Sequence, residues 1–490
     1  MAEAFARTGV AGLDDILRGG LPRNRLYLVE GDPGTGKTTL GLQFLLEGAR
    51  TGERGLYVAL SETRDELDAT ARSHGWSLDG LEIFELAADA MLDPSQDTSV
   101  FHPSELELNE RASEILARVA IVNPTRVVFD SLSEMRLLAQ SSLRYRRVVL
   151  MLKQHFVGRR CTVLLLDDRT GEIADLHLAS ISHGVIRLEQ LDRQYGRERR
   201  RIKVTKLRGV DFRDGYHDFR IRTGGVVVYP RLVAAEHEGY QPPTLASTGI
   251  PQLDRLCGGG LDRGASTLFA GPSGVGKSAL ALQISMAAVA RGERVSVYSF
   301  EDTATTARTR MAGLGIPLED AIDTGLLRLR HVNPAELSPG EFDSLVREDA
   351  ERFGAAVLVI DSLNGFLAAM PDEHALILQF HELLTYLGAK NVLTIATSTQ
   401  RGLLGAPMSA QFDPSYLADT ILLMRYFEAS GQLRRAISVM KKRRGAHEPT
   451  IREYRLARGG LALGEPLEEF QGVLTGVPSY LGAAGSLLQK

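Results

Sequence analysis

The chain of 490 residues repeats itself, and no other feature limits its fold so strongly. TGVAGLDDILRGGLP, beginning at Thr8, returns as TGIPQLDRLCGGGLD, beginning at Thr248. The copies keep a spacing of 240 residues through GDPGTGKTT against GPSGVGKSA and VALSET against YSFEDT. Farther on, VVFDSLSEM returns as VLVIDSLNGF, and DFRIRTGG as EYRLARGG. A duplication of this extent means two whole domains in tandem, not one domain with an inserted loop. The polar, proline-containing AAEHEGYQPPTLAS separates them. The expected organisation is a first domain over 1–232, a linker over 233–246, a second domain over 247–464 and a tail over 465–490.

Within each copy, short apolar runs such as LYLVE, GLYVAL, RVVFD and CTVLLLD alternate with longer helical patterns. That rhythm predicts an α/β fold, a mainly parallel sheet flanked by helices. Closely spaced runs late in the copy, HGVIRLEQL, RRRIKVTKLRG and HDFRIRTGG, predict antiparallel strands that extend the sheet. Cys161 and Cys257 lie far apart in no metal or redox spacing, so both are expected to be inert packing residues in a reducing compartment. The sequence has no basic start leading into an apolar core and no run of about 18 apolar residues, so a cytoplasmic protein without membrane contact is expected. A formal net charge of -4 argues against a protein that coats nucleic acid. The basic run from Arg193 to Gly209 reads either as a solvated strand edge or as a functional patch.

Both copies carry GxxxxGK[ST] between an apolar strand and an amphipathic helix. Glycines let such a loop curl its N–H groups around phosphates, and the helix N-terminus adds its positive dipole end. The nucleotide-binding residues are therefore expected to be Gly31, Asp32, Pro33, Gly34, Thr35, Gly36, Lys37, Thr38 and Thr39 in the first copy. In the second they are Gly271, Pro272, Ser273, Gly274, Val275, Gly276, Lys277, Ser278 and Ala279. Lys37 and Lys277 would reach the terminal phosphates. Thr38 and Ser278 would ligate Mg2+, together with Asp130 and Asp361, which end apolar strands in RVVFD and VLVID. Hydrolysis further needs a base to orient water, expected at the end of the strand next to the phosphate loop. The second copy offers Glu301 and Asp302 there, whereas the first offers Ser61 and Glu62, and a serine takes no proton at neutral pH.

These motifs resemble the KaiC family of double-domain RecA-type ATPases and autokinases known from the cyanobacterial circadian oscillator. The resemblance covers nearly the whole chain and rests on TGxxxLDxxxxGGLP, both phosphate loops, SET and EDT, ARSHGWSL, IDSL, KLRG and ADTILLMRYFEASGQLRRAISVMKKRRGAHEPTIREY. It implies two tandem RecA-like P-loop NTPase domains and a six-subunit homo-oligomeric ring with ATP between subunits. It also implies cations lent to the neighbouring site, here Lys206 and Arg208 in KLRG and Lys442 and Arg444 in KRRG. The family's paired glutamates give the base role to Glu301, and hydrolysis in the first copy then relies on Glu62 or is impaired. The family phosphorylates adjacent serine and threonine residues, and DPSYLADTILL puts Ser415 and Tyr416 at those places. The expectation is an ATPase and serine autokinase, a non-specific serine/threonine protein kinase type, acting as a regulatory or timing protein with Kai-type partner proteins, one of them engaging the tail. A regulatory module that holds ATP without kinase activity and a nucleic-acid motor are the alternatives. QRGLLGAPMSAQFDPSYLAD is poor in the cations and aromatics a strand-binding loop needs, so nucleic acid is not the expected partner.

Overall fold

The computed structural model describes residues 5–86, 103–169, 178–192, 195–237, 242, 244–367, 373–399, 416–429, 431–473 and 479–480. Two compact units, Met1–Arg231 and Leu232–Lys490, each hold one nine-stranded sheet. From one edge, the first sheet runs Gly225–Tyr229, His217–Arg222, Arg199–Leu207, Gly184–Leu191, Leu26–Gly31, Thr162–Asp168, Arg126–Asp130, Gly55–Ala59 and Glu82–Glu85. The second repeats this order as Gly460–Pro466, Arg452–Ala457, Gln432–Lys442, Thr420–Ala429, Ser266–Gly271, Leu393–Thr399, Val357–Asp361, Val295–Ser299 and Leu327–His331. Strands from Gly184–Leu191 through Glu82–Glu85 are parallel, and the remainder continue antiparallel. The duplicated, mainly parallel fold with antiparallel ends is therefore the fold expected from the sequence.

The parallel strands are apolar along their whole length because both faces are covered. In Leu26–Gly31, Tyr27 and Val29 pack on one side with Leu40, Phe44 and Leu45 of the helix Lys37–Arg50. Leu26 and Leu28 pack on the other side with Ile115, Met135, Val149 and Leu152 from the helices Pro103–Val122, Leu132–Ala139 and Ser142–Phe156. Cys161 and Cys257 are buried and unpaired, and burial pushes each thiol up to about 12.

Two expectations from the sequence need correction. The strands Gly55–Ala59 and Val295–Ser299 are not neighbours of the phosphate-loop strands, because two further strands stand between them in each sheet. The carboxylates that follow them reach the site across the end of the aspartate-bearing strand instead. The basic segment Arg199–Leu207 is not a sheet edge either, since it pairs with Gly184–Leu191 and with His217–Arg222. Several of its charges are matched locally, Arg199 by Asp218 at 2.7 Å and Arg201 by Glu189 at 2.9 Å.

The first sheet also contains a buried cation that has no counterpart in the second. Arg126 is 1% exposed. Its guanidinium donates to Glu53 at 2.8 Å, to the carbonyls of Arg7 at 2.7 Å and Phe44 at 2.8 Å, and lies 4.6 Å from the Phe44 ring centroid. Burial alone would raise the Glu53 carboxyl, but hydrogen bonds from Arg23 and Arg126 hold it down to about 2. In the second sheet Val357 occupies the register position of Arg126, and Glu293 pairs with Arg263 and Arg291. Glu53→Gln leaves a buried guanidinium short of its counter-charge and is expected to cost the first domain about 3–5 kcal/mol. Urea unfolding of the variant at pH 7 checks this, and an unchanged midpoint would contradict it.

Candidate functional site

Parallel strands bring their carboxyl ends to one edge of the sheet, and the two motif sets converge there. Gly31 is in register with Asp168, and Ala59 with Asp130, so the phosphate loop, two aspartates and the approach to Glu62 meet at that edge. The loop is a true cradle. Gly36 at φ +99 and Gly276 at φ +112 lie in the left-handed region, and a Cβ at these positions would meet Ile221 at 2.5 Å and Leu456 at 2.8 Å. Each loop lysine is buried and folded back onto its own loop. Lys37 donates to the carbonyls of Gly31 at 2.8 Å and Asp32 at 3.0 Å, and Lys277 to those of Gly271 and Pro272, both at 2.8 Å.

The magnesium candidates are already paired. Thr38 Oγ1 donates to Asp130 Oδ2 at 2.6 Å, and Tyr57 OH donates to the same oxygen at 2.5 Å. In the second domain the Asp361 carboxylate accepts from Thr397 and Ser278. Burial raises both aspartates above the ordinary carboxylate range, and neighbouring carboxylates add to the rise. Asp168 does so for Asp130, Glu301 and Asp302 for Asp361. Buried carboxyl groups in this state are short of positive charge, and a hydroxyl beside a lone carboxylate suits Mg2+, which is held by few protein ligands plus phosphate and water. Among the described residues no group of three or more His, Cys, Asp or Glu forms a metal cluster without phosphate.

The candidate bases differ in their surroundings. Glu301 accepts a hydrogen bond from Ser362, the residue after Asp361. Asp302 is bound by Arg310, which removes it from the site's free carboxylates. Among the described residues Glu62, at the position of Asp302, pairs with no cation, and its Oε2 is buried without a hydrogen-bond partner. Burial first, then Asp130 and Glu66, push the Glu62 carboxyl up to about 7.

Of the cations expected to serve a neighbouring subunit, Arg208 is exposed and donates to the Ser180 carbonyl at 3.2 Å. Lys206 donates to the Ala179 carbonyl at 2.6 Å. In the second domain the assignment shifts by one residue. Gly184 and Thr420 hold the same position beside the phosphate-loop strand, and the register past them sets Lys206 against Lys441 and Arg208 against Arg443. Lys441 donates to the Ala418 carbonyl as Lys206 does to Ala179. Lys442 is instead an internal residue, 2% exposed, 3.6 Å from Asp262 and bonded to the Cys257 carbonyl. Arg443 and Arg444 are the exposed cations of that segment. Tyr416 is 53% exposed, and Arg443 donates to its carbonyl at 2.9 Å. Ser415 lies outside the described residues, as does most of the tail.

Sequence reading missed Asp167 and Asp168. Asp168 Oδ1 stands 2.8 Å from Lys37 Nζ, and Asp167 is paired with Arg136. The signal was present in LLLDD against TIATST at the corresponding strand ends.

The family model described as "ATPase: KaiC" matches residues 6–233 and again 246–468. The chain belongs to the KaiC ATPase family. It is 28% identical over 97% of its length to the circadian clock oscillator protein KaiC of a Picosynechococcus species, of which it covers 92%. To the KaiC of Synechococcus elongatus it is 28% identical, with 98% of this chain and 93% of that one covered. Against the circadian clock protein KaiC3 of a Synechocystis species the identity is 27%, over 96% of this chain and 94% of that protein. The family assignment carries nucleotide binding with it, and among the described residues no helix is long and apolar enough to cross a membrane.

Glu62 gives a pH test of the first KaiC-type site. The folded chain holds its proton up to about pH 7, whereas an unfolded chain releases it near 4.5. The contribution of this carboxyl to stability is therefore complete below about pH 4.5 and is lost as the pH rises through 7. Glu62→Gln in the nucleotide-free, magnesium-free chain is expected to gain about 1–3 kcal/mol at pH 8 and little at pH 5. Thermal melts at the two pH values decide it, and equal gains at both would contradict the assigned environment.

Proposed function

We propose that this KaiC-family ATPase is a homo-oligomeric ring protein whose second domain phosphorylates Ser415, and that it serves as a regulatory or timing protein. The observation that carries the reading is the difference at the two strand ends. Glu301 stands beside Asp361 in the second domain and is held by Ser362, while the first domain has Ser61 at that position. In the proposed reaction the Ser415 hydroxyl oxygen bonds to the terminal phosphorus of ATP, its proton passes to the Glu301 carboxylate, and ADP leaves. Lys277 orients the terminal phosphates, and Ser278 and Asp361 hold Mg2+, which when bound offsets charge on the phosphate oxygens. The first domain binds ATP through Lys37, Thr38 and Asp130 and hydrolyses it with Glu62 as base. The KaiC and KaiC3 names of its relatives support a clock-type role and partners of the Kai type.

Incubation with γ-labelled ATP and magnesium is expected to label the wild-type chain, to leave Ser415→Ala unlabelled, and to lose more label in Glu301→Gln than in Glu62→Gln. Absence of label with ATPase activity intact would favour a regulatory module that only holds and hydrolyses ATP.

Placement of ATP between subunits is tested separately. Arg208 is proposed to act on a neighbour's nucleotide, and a cation of this kind contributes about 10³ to 10⁵ in rate where measured. Arg208→Ala is expected to lose first-domain ATPase with its own phosphate loop intact. Mixing it with Lys37→Ala should restore part of that activity, and complete failure to complement would count against shared sites.

A further inference from the structure

The two loop lysines are held alike by their own carbonyls and each feels nearby carboxylates, yet among the described residues only Lys37 has one within ion-pair distance. Lys37 Nζ lies 2.8 Å from Asp168 Oδ1. Asp168 is fixed in that position, because Ser133 Oγ donates to its other oxygen at 3.1 Å and its backbone N–H donates back to Ser133 Oγ at 3.3 Å. The preceding Asp167 is anchored by Arg136 and by Ser133 at 3.2 Å, so the whole strand end is braced.

The second domain builds the same brace from uncharged groups. In register with Gly271, as Asp168 is with Gly31, stands Thr399, and Ser398 precedes it. Asn364 takes the place of Ser133 and accepts from the Thr399 backbone N–H at 2.7 Å and from Ser398 Oγ at 3.3 Å. Leu367 stands where the first domain has Arg136. Both domains thus keep the hydrogen-bonded link between this strand and the segment after the strand-end aspartate, but among the described residues only the first puts a carboxylate in direct contact with the loop lysine.

We propose that Asp168 is a specificity-determining residue of the first nucleotide site, which holds Lys37 in place of a terminal phosphate and so lowers affinity for the triphosphate more than for the diphosphate. A phosphate that reaches Lys37 must displace this contact and then sits beside a second anion. The penalty grows with the charge brought to that point, and it is greater for the terminal phosphate that a diphosphate lacks. The Asp168 side chain is 33% exposed, so water and salt moderate the repulsion, and the effect is about tenfold instead of many orders of magnitude. The inference rests on the reading of the first loop as a nucleotide site.

The test uses the full chain with Lys277→Ala, so that the first site dominates binding, and titrates fluorescent mant-AMPPNP and mant-ADP with magnesium. Asp168→Asn, which keeps shape and removes charge, and Asp168→Thr, which copies the second domain, are each expected to tighten the triphosphate analogue about tenfold and ADP less than about threefold. No tightening, or equal tightening for both nucleotides, overturns the inference. The reciprocal Thr399→Asp in a Lys37→Ala background is expected to weaken mant-AMPPNP at the second site about tenfold, and an unchanged affinity overturns it as well. If the Lys277→Ala chain with wild-type Asp168 binds neither nucleotide, the reading of the first loop itself falls, and the inference with it.

Discussion

A buried ammonium inside a loop of backbone carbonyls is the constraint on which both halves of this molecule depend. Lys37 and Lys277 lie at the start of long helices, where the backbone also presents its N–H groups, and each is tied to the first carbonyls of its own loop. An ammonium out of water needs negative partners, and a loop that can supply only carbonyl dipoles leaves it ready for a stronger anion. The left-handed glycines before the lysines and the residues packed against them, Ile221 and Leu456, hold the cradle in that shape. The parallel sheet then decides what else arrives, because every parallel strand delivers its last residue to the same edge.

Residues whose placement follows from local geometry were legible in the sequence. The phosphate loops, Thr38 and Asp130, and Ser278 and Asp361 lie within one strand–loop–helix unit or at a strand end, and a short motif specifies such a placement. What depends on the order of strands was not legible. Nothing local tells that two strands separate Gly55–Ala59 from Leu26–Gly31, and so the strand carrying the candidate bases was placed beside the loop. Register was likewise hidden. Irregularities between Val185 and Ile186 and between Ile421 and Leu422 set the pairing of the antiparallel strands, and KKRR offers two possible alignments to KLR. Only pairing across the sheet shows that Lys442 points inward to Asp262.

Ion pairs between distant segments were invisible for the same reason. Glu53 and Arg126 are 73 residues apart, and no motif relates them. The repeat could still have exposed them, because a charged residue on a buried strand stands out when its counterpart is Val357. Asp167 and Asp168 are the same kind of signal. A comparison of the two copies position by position is more informative than a search for what they share, since fold dictates the common residues and the differences are left for chemistry.

Those differences form a pattern at the two sites. The first site sets Asp130 and Asp168 near Lys37 with Glu62 beside Asp130, while the second removes Asp302 to Arg310 and uses hydroxyl and amide groups where the first has Asp167 and Asp168. Each nevertheless keeps one carboxylate near its strand-end aspartate that no cation among the described residues claims, Glu62 in the first and Glu301 in the second. They are neighbours in the aligned sequence, not equivalents. Serine at position 61 therefore does not empty the first site of a carboxylate; it moves the group one residue along the chain, near Asp130 and Thr38 and into a drier setting. Burial and the nearby Asp130 push the Glu62 carboxyl up to about 7, so it can hold a proton near neutral pH. The same backbone thus sets its two candidate bases in different surroundings without any change in the order of its strands.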